Sequence, residues 1–151
     1  MRPDPFARAH EMCNPADRMK QQTSEPAREI PRVVTVPLRL EGVALVAASI
    51  GLYAAAGADW LPFVILLILP DLSIAAYLRG PVVGAVVYNT VHNWALAGVL
   101  IALGFVLGQA ILFAAGAALT AHVGLDRLLG YGLKYPTRFQ DTHLGWIGRR
   151  G

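Results

Sequence analysis

The chain has 151 residues, of which 55% are hydrophobic and 15% are charged, and its mean hydropathy is +0.47. An average soluble protein carries about 25% charged residues, so this composition excludes an ordinary soluble domain and predicts a single membrane domain. The net charge of +3 does not indicate nucleic-acid binding, because the basic side chains lie in the two terminal segments beside apolar runs, where they act as topology signals.

The N-terminal segment, residues 1–38, carries six prolines and many charges and has no helical period. Such a composition cannot bury a core, so we predict a disordered cytoplasmic tail. Met19 offers an alternative start. The first apolar run begins near residue 40, whereas a cleavable signal peptide begins with a short basic region, so none is predicted. The single cysteine, Cys13, excludes an intrachain disulfide and a CxxC metal or redox site.

Two transmembrane helices are predicted over residues 40–56 and 60–78. The 17 residues from 42 to 58 carry no formal charge, and as a helix they would span about 26 Å, near the low end for a bilayer. The second helix is interrupted by Pro70 and Asp71. Proline kinks a helix, but membranes tolerate the kink where neighbouring groups satisfy the freed carbonyl.

The longest uncharged run covers the 46 residues from 80 to 125. As one straight helix it would be about 69 Å long, more than twice the hydrocarbon thickness, so it must fold back as a hairpin. Two glycines, Gly104 and Gly108, place the turn at residues 104–109. The same GxxxG spacing could instead mark a surface for helix packing.

The basic residues predict the orientation. Seven precede the first helix, none lies in the first or third connection, Arg79 lies in the second, and five follow or end the fourth helix. Because Lys and Arg are retained on the cytoplasmic side, the sequence predicts an all-α bundle of four transmembrane helices over residues 39–129, with both termini inside. Residues 130–151 mix aromatic and basic side chains, as in a cytoplasmic segment at the level of the headgroups.

Several polar side chains fall at membrane depth, where an ionisable group costs about 2.5–3.5 kcal/mol on insertion scales. Asp71, Asn89 and His122 each lie about seven residues, or about 10 Å, from the predicted cytoplasmic end of a helix. We therefore expect these side chains to converge inside the cytoplasmic half of the bundle. The candidate polar cluster consists of Glu41, Asp71, Asn89, His92, His122 and Asp126.

Helical spacing supports this convergence. Asn89, His92 and Asn93 stand at positions i, i+3 and i+4, so one continuous helix would place them on one face. His122 and Asp126 are four residues apart and also share a face.

One interpretation of the cluster is a divalent metal site. His122 and Asp126 on one helix and Asp71 from a neighbour are suitable ligands, and Asp141 and His143 could add two more if the C-terminal segment folds back. Such a metal could activate water for hydrolysis of a lipid or its headgroup. No spacing here is as specific as the HExxH motif of metalloproteases.

Two other interpretations stay open. Asp71 and His92 could carry protons in a small proton-coupled carrier. Alternatively, the cluster could be a structural hydrogen-bond network that fixes helix packing, with Asp126 paired to an arginine. The sequence contains no Walker loop, GxGxxG fingerprint or GxSxG elbow, so no nucleotide or dinucleotide site is predicted.

The stretch HVGLDRLLGYGLKYPTRFQDTHL at residues 122–144 resembles the signature of a bacterial family called domain of unknown function 4260. Similar pieces are RLEG at residues 39–42, LPDLS at 69–73 and YNxxH at 88–92. The resemblance covers residues 39–147 and implies a small integral membrane protein. The family pattern has little before the RLEG start, so the N-terminal extension departs from it. The resemblance implies no role for any polar residue.

The sequence thus predicts a multi-pass protein of a bacterial cytoplasmic membrane, with the lipid bilayer as its partner and with an unidentified substrate. Four short helices enclose little volume, which is compatible with a homo-oligomer. The three functional hypotheses are a structural or binding protein with a polar core, a metal-dependent hydrolase and a proton-coupled carrier.

Overall fold

A computed structural model describes residues 30–148 of the chain. Its described elements are α1 (Arg32–Ala55), α2 (Trp60–Ile68), a 3-10 helix (Leu69–Arg79), α3 (Pro81–Val91), α4 (Trp94–Val106), α5 (Ala110–Leu129), β1 (Asp141–Thr142) and β2 (Gly145–Trp146). The predicted all-helical fold is confirmed.

Helix α1 begins at Arg32, eight residues before the predicted start, so the end of the segment predicted as a tail is helical. Pro31 stands at the N-cap and Pro37 lies inside the helix. One internal proline removes a single backbone hydrogen bond, which a long helix tolerates. Valine and leucine side chains before residue 39 extend the apolar run. The tail prediction for residues 1–29 lies outside the described residues.

The second predicted span has the expected interruption. Helix α2 ends at Ile68, and the chain continues as a 3-10 helix whose first turn contains Pro70. Together they form one apolar segment, Trp60–Arg79, that is long enough to cross a membrane. An 11-residue 3-10 helix is uncommon, because i→i+3 hydrogen bonds have poorer geometry than α-helical ones. Proline removes the amide that would donate the next α-helical bond, which favours the tighter winding.

The long uncharged run folds as a hairpin, and its turn lies where the sequence predicts it. Helix α4 ends at Val106, Gly108 has a positive φ of 63°, and α5 begins at Ala110. The first arm of the hairpin is not one straight helix, because α3 and α4 meet at a break with a bend of 40°. Three segments are long and apolar enough to cross a membrane by themselves, and the number rises to four if the bent pair counts as one span.

Helix α5 is the centre of the bundle and packs against α1, α2 and α4. Small residues allow its neighbours to approach closely. A Cβ atom on Gly116 would lie 2.6 Å from the backbone nitrogen of Ile101 and 2.8 Å from the carbonyl oxygen of Ala97. A Cβ atom on Gly42 of α1 would lie 2.6 Å from the carbonyl oxygen of Gly124.

An aromatic cluster closes the end of the bundle where α1 meets α2. The rings of Tyr53 and Phe63 are 4.7 Å apart, and that of Trp60 lies 5.2 Å from Tyr53. The hydroxyl of Tyr53 donates to the carbonyl of Asp59 at 2.6 Å. These rings pack against buried alanines of α5, namely Ala114, Ala117, Ala118 and Ala121.

The C-terminal segment folds back onto the bundle after Gly130, which ends α5 in the left-handed conformation with φ 90°. Strands β1 and β2 form a short antiparallel hairpin, and Lys134 bridges Thr142. The segment therefore has a defined structure up to the last described residue.

Candidate functional site

Four ionisable side chains meet where α5, the 3-10 helix and the break between α3 and α4 come together. We call them the polar cluster. His122 and Asp126 lie one turn apart on α5, Asp71 comes from the first turn of the 3-10 helix, and His92 stands at the break. The sequence predicts this convergence, and the structure contains it.

The break explains how His92 reaches the others. Helix α3 ends at Val91, and His92 leaves helical geometry with φ −93° and ψ 46°. Asn93 restarts the helix as the N-cap of α4, because its side-chain oxygen accepts from the backbone nitrogen of Leu96 at 2.9 Å. The imidazole of His92 then stacks on the ring of Tyr88 with centroids 3.7 Å apart.

The two histidines and two carboxylates face one another. The Nε2 atoms of His92 and His122 are 3.0 Å apart. Oδ1 of Asp71 lies 3.6 Å from Nε2 of His122 and 4.0 Å from that of His92. Oδ2 of Asp126 lies 3.9 Å from both nitrogens.

The other nitrogen of each ring fixes its tautomer. Nδ1 of His92 lies 3.0 Å from the carbonyl oxygen of Tyr88, and Nδ1 of His122 lies 2.8 Å from that of Leu67. A carbonyl oxygen only accepts hydrogen bonds, so each Nδ1 donates its proton and leaves the two Nε2 atoms facing each other. Two nitrogens at this distance suit a shared proton or a metal ion.

Burial differs across the polar cluster. His92 and His122 are 2% and 7% exposed, and the side chain of Asp126 is 15% exposed. The side chain of Asp71 is 53% exposed and opens towards solvent or lipid. The hydroxyl of Tyr88 donates to Oδ2 of Asp126 at 2.9 Å, which holds that carboxylate in place. The cluster is therefore closed on the histidine side and open at Asp71.

A cavity of about 480 Å³ adjoins the polar cluster. Its lining includes Asp71, His122 and Asp126 of the polar cluster, and Lys134 and Phe139 of the C-terminal segment. The remaining wall is mainly aliphatic and includes Leu67, Ile68, Ile74, Leu125 and Leu129. This size suits a small ligand or part of a larger one.

Lys134 forms the basic wall of the cavity and is only 4% exposed. Its Nζ lies 3.9 Å from the ring centre of Phe139 and 5.0 Å from that of Tyr88. Burial lowers the pKa of Lys134 to about 8, and the negative charge of Asp126 opposes that shift. The amine is thus still charged in most molecules at neutral pH.

Asn89, a predicted member of the cluster, contacts the main chain of Lys134 instead. Its side-chain oxygen accepts from the Lys134 nitrogen at 2.7 Å, and its side-chain nitrogen donates to the Lys134 oxygen at 2.9 Å. Asn93 donates to the carbonyls of Asn89 and Thr90. The prediction that Asn89, His92 and Asn93 share one helix face is therefore wrong, because the helix breaks between them.

The remaining predicted residues lie outside the polar cluster. Glu41 is exposed on α1. Asp141 accepts from the hydroxyl of Thr137 at 2.6 Å, and Nδ1 of His143 accepts from the nitrogen of Leu133 at 2.7 Å. The C-terminal segment does fold back, but these two side chains bind its own loops.

The electrostatics of the segment fit these roles. Burial lowers the pKa of His143, which favours the neutral ring that its acceptor role requires. The predicted pairing of Asp126 with an arginine is absent from residues 30–148, where Asp126 accepts from Tyr88 and Arg127 donates to the carbonyl of Tyr131 at 3.3 Å.

Two residues of the site, Tyr88 and Lys134, are missed by the sequence analysis. Tyr88 precedes His92 by one helical turn, a spacing that indicates contact on a helix. Lys134 follows the last helix and carries no local signal, since its position depends on the fold-back of the C-terminal segment.

Comparison with known proteins gives one match. A family model described as Domain of unknown function (DUF4260) matches residues 35–147, which include the whole polar cluster and Lys134. No curated protein and no solved structure matches the chain.

Proposed function

The chain belongs to the family described as domain of unknown function 4260, and from the geometry of its polar cluster we propose that it is a membrane-embedded, metal-dependent hydrolase of an amphiphilic substrate. One observation carries this proposal. The Nε2 atoms of the two histidines face each other at 3.0 Å, and a carboxylate oxygen of Asp71 lies within 4.0 Å of each. Histidines that bind metals commonly donate their other ring N–H to a carbonyl in this way.

The distances fit a metal ion. Zinc binds histidine nitrogen and carboxylate oxygen at about 2.0–2.2 Å, so two ligand atoms in a tetrahedral site lie about 3.4 Å apart. The three separations among the ligand atoms of Asp71, His92 and His122 are 3.0, 3.6 and 4.0 Å. Small shifts of the half-exposed Asp71 side chain would equalise them. Two imidazoles and a carboxylate suit Zn²⁺, Mn²⁺ or Fe²⁺.

Three protein ligands leave a fourth position for water, the arrangement typical of catalytic rather than structural zinc sites. A bound metal lowers the pKa of that water and so supplies a nucleophile at neutral pH. Asp126, which Tyr88 orients, lies beside both histidines and is the candidate general base. The adjoining aliphatic cavity favours an amphiphile as the substrate.

The first test is the metal content of the purified protein, measured by elemental mass spectrometry. We expect about one ion per chain in the wild type and nearly complete loss in His122→Ala, because one of three ligands is removed. His143→Ala removes a histidine outside the polar cluster and should keep the ion. A wild-type protein without metal overturns the proposal.

Turnover is the second test. Ester- and phosphoester-linked fluorogenic amphiphiles should be hydrolysed by the zinc-loaded protein, and Asp126→Asn should slow hydrolysis by about 10²–10⁴-fold while the metal stays bound. Bound metal without turnover of either class would assign the ion a structural role instead.

A second candidate function, proton transport, is favoured by the 3.0 Å separation of the two Nε2 atoms, since a shared proton fits that distance as well. In that case Asp71, half exposed, would exchange the proton with the cavity. The lumen of proteoliposomes should then acidify when the outer medium is made acidic, and Asp71→Asn should abolish this proton flux. Metal content near zero together with such a flux would select this function.

For the membrane arrangement we propose four spans, both termini in the cytoplasm and a bacterial cytoplasmic membrane as the location. The distribution of basic residues supports this arrangement, since all thirteen Lys and Arg side chains fall in the two terminal segments or the second connection and none falls in the first or third connection. A periplasm-active reporter fused after Gly151 should be silent. Reporter activity at that position contradicts the orientation.

A further inference from the structure

We infer that the cavity beside the polar cluster binds its amphiphile through an anionic group, such as a phosphate, held by the ammonium of Lys134. This inference rests on the proposed function, which makes the polar cluster the place where the substrate reacts. It adds the chemical class of that substrate.

The first step is that Lys134 is buried without a direct ion pair, since the charge of Asp126 acts on it only from beyond ion-pair distance. Lys134 is 4% exposed. Within residues 30–148, its Nζ has no carboxylate within ion-pair distance and no hydrogen-bond acceptor, and its contacts are the faces of two aromatic rings. A charged amine withdrawn from water is costly unless it is paired. The ammonium therefore has its donors available for an anionic ligand.

The second step is that Lys134 is held in place by its main chain. Asn89 of α3 pairs with both the nitrogen and the oxygen of Lys134, at 2.7 and 2.9 Å. On the other side, Lys134 bridges Thr142 of β1. The base of a flexible side chain is thus fixed from two directions, which limits where its ammonium can go and reduces the entropy lost on binding.

The third step is the layout of the cavity. The lining combines the cation of Lys134, the carboxylates of Asp71 and Asp126, and several aliphatic side chains. An anionic group at Lys134 would leave the neighbouring bond of the ligand near the polar cluster and its hydrocarbon part against the aliphatic wall. A fully hydrophilic anion would gain nothing from that wall, and a neutral lipid would leave the ammonium unpaired.

The two carboxylates of the cavity bear on this assignment. Asp71 and Asp126 would repel an anion from a metal-free site, whereas a divalent cation would neutralise them. Hence the probe should bind more tightly to the metal-loaded protein than to the metal-free protein.

The experiment uses hexyl phosphate, inorganic phosphate and hexanol as probes, titrated by calorimetry into zinc-loaded protein in a neutral detergent. We expect hexyl phosphate to bind at least about tenfold more tightly than either half alone, because it meets both the ammonium and the aliphatic wall. Lys134→Met should weaken hexyl phosphate by about tenfold or more and leave hexanol unchanged.

Two control variants keep the result interpretable. Arg138→Met removes an exposed cation from the same segment and should leave all three affinities unchanged. Lys134→Arg keeps the charge and should retain hexyl phosphate binding within a few-fold. Methionine is apolar and of similar length, so Lys134→Met should keep the fold, and one zinc ion per chain would verify this.

The outcomes separate this inference from the proposed function. Equal affinity of wild type and Lys134→Met for hexyl phosphate overturns the role of Lys134 even if zinc is bound. Inorganic phosphate that binds as tightly as hexyl phosphate overturns the amphiphile and assigns the site to free phosphate. If the wild type holds no metal, the proposed hydrolase fails, while the same titration of metal-free protein still tests Lys134.

Discussion

Two consecutive stretches of helix α5 make different kinds of contact with the neighbouring helices. From Ala114 to Ala121 the buried face is almost entirely alanine and glycine, and the neighbouring helices approach until backbone atoms limit them. From His122 to Arg127 the buried residues also include polar ones, His122 and Arg127, and hydrogen bonds link His122 to Leu67 and His92 and link Asp126 to Tyr88. We call these the small-residue stretch and the polar stretch.

The comparison shows how stability and function are separated along one helix. The small-residue stretch has no group that titrates or coordinates, so its role is close packing. The polar stretch contributes two of the four members of the polar cluster, and their directions depend on contacts with Leu67 and Tyr88. Substitutions in the first stretch should therefore change stability, and substitutions around the second should change ligand affinity or turnover.

Gly116→Val should have the largest effect. A Cβ atom at this position would lie 2.6 and 2.8 Å from backbone atoms of α4, which cannot move aside as a side chain can. We expect destabilisation of about 3 kcal/mol or more, measured by thermal or denaturant unfolding in detergent. Gly98→Ala is the matched control, because nothing lies within 4 Å of its Cβ, and it should be neutral. If both glycines tolerate substitution, close packing is not what stabilises α5.

Tyr88→Phe should act on the polar stretch without unfolding the protein. The variant keeps the ring that stacks on His92 but removes the hydroxyl that donates to Asp126 at 2.9 Å. Because Asp126 is the candidate general base and not one of the three proposed ligands, loss of this hydrogen bond should slow hydrolysis by about tenfold or more and leave the metal bound. Hydrolysis rates and metal content of the two proteins measure the difference. A rate equal to that of wild type would contradict the role of Tyr88 in orienting Asp126.

Asn89→Ala should loosen the C-terminal segment and spare the metal. It removes two hydrogen bonds to the main chain of Lys134, a loss of about 1–3 kcal/mol. Hydrogen exchange should accelerate at the amides of residues 133 and 134. Thr90→Ala, which removes a hydroxyl bonded only to its own helix at Val86, is the control. Faster exchange in both variants would mean that the effect does not come from the two hydrogen bonds between Asn89 and Lys134.

The smallest effect concerns pH. The pKa of Lys134 is about 8 in the folded chain, below its ordinary value of 10.5. Between these two values the unfolded chain binds more protons than the folded chain, so stability should rise as the pH increases from about 8 to 10.5. Lys134→Met should lack this part of the rise. Melting temperatures of both proteins over this range, with Arg138→Met as a control, measure the difference. If the melting temperature of the wild type falls relative to that of Lys134→Met over this pH range, the prediction that burial lowers the pKa of the amine is wrong.

Much of the bundle follows from the sequence, because length and hydropathy limit how an apolar chain can fold in a membrane. The 46-residue uncharged run requires a hairpin, and Gly108 supplies the positive φ at its turn. The convergence of Asp71 and His122 follows from their similar predicted depth, whereas Asn89, predicted at the same depth, contacts the main chain of Lys134 instead.

The details that decide the chemistry depend on breaks and long-range contacts. A signal for the break existed, because Asn93 precedes an apolar run and asparagine is a preferred N-cap. This signal is weak because the chain is uncharged on both sides of Asn93, and a long, largely apolar stretch favours one unbroken helix. The placement of Lys134 has no such signal, because its partner Asn89 lies 45 residues away. Asp141 and His143 are suitable metal ligands by residue type, but their side chains accept hydrogen bonds from Thr137 and Leu133 within the C-terminal segment.

The two hydrogen bonds between Asn89 and the main chain of Lys134 also imply an order in which the cavity is assembled. A ribosome releases Asn89 45 residues before Lys134, so α3 and α4 can enter the bilayer while the segment that completes the cavity is still being synthesised. The wall that carries the ammonium is thus added last, after α5 has joined the bundle. A chain that stops just after Leu129 would keep all four members of the polar cluster yet lack one side of the cavity. Synthesis of the residues after Leu129 therefore adds the wall that carries Lys134 to a bundle that is already inserted.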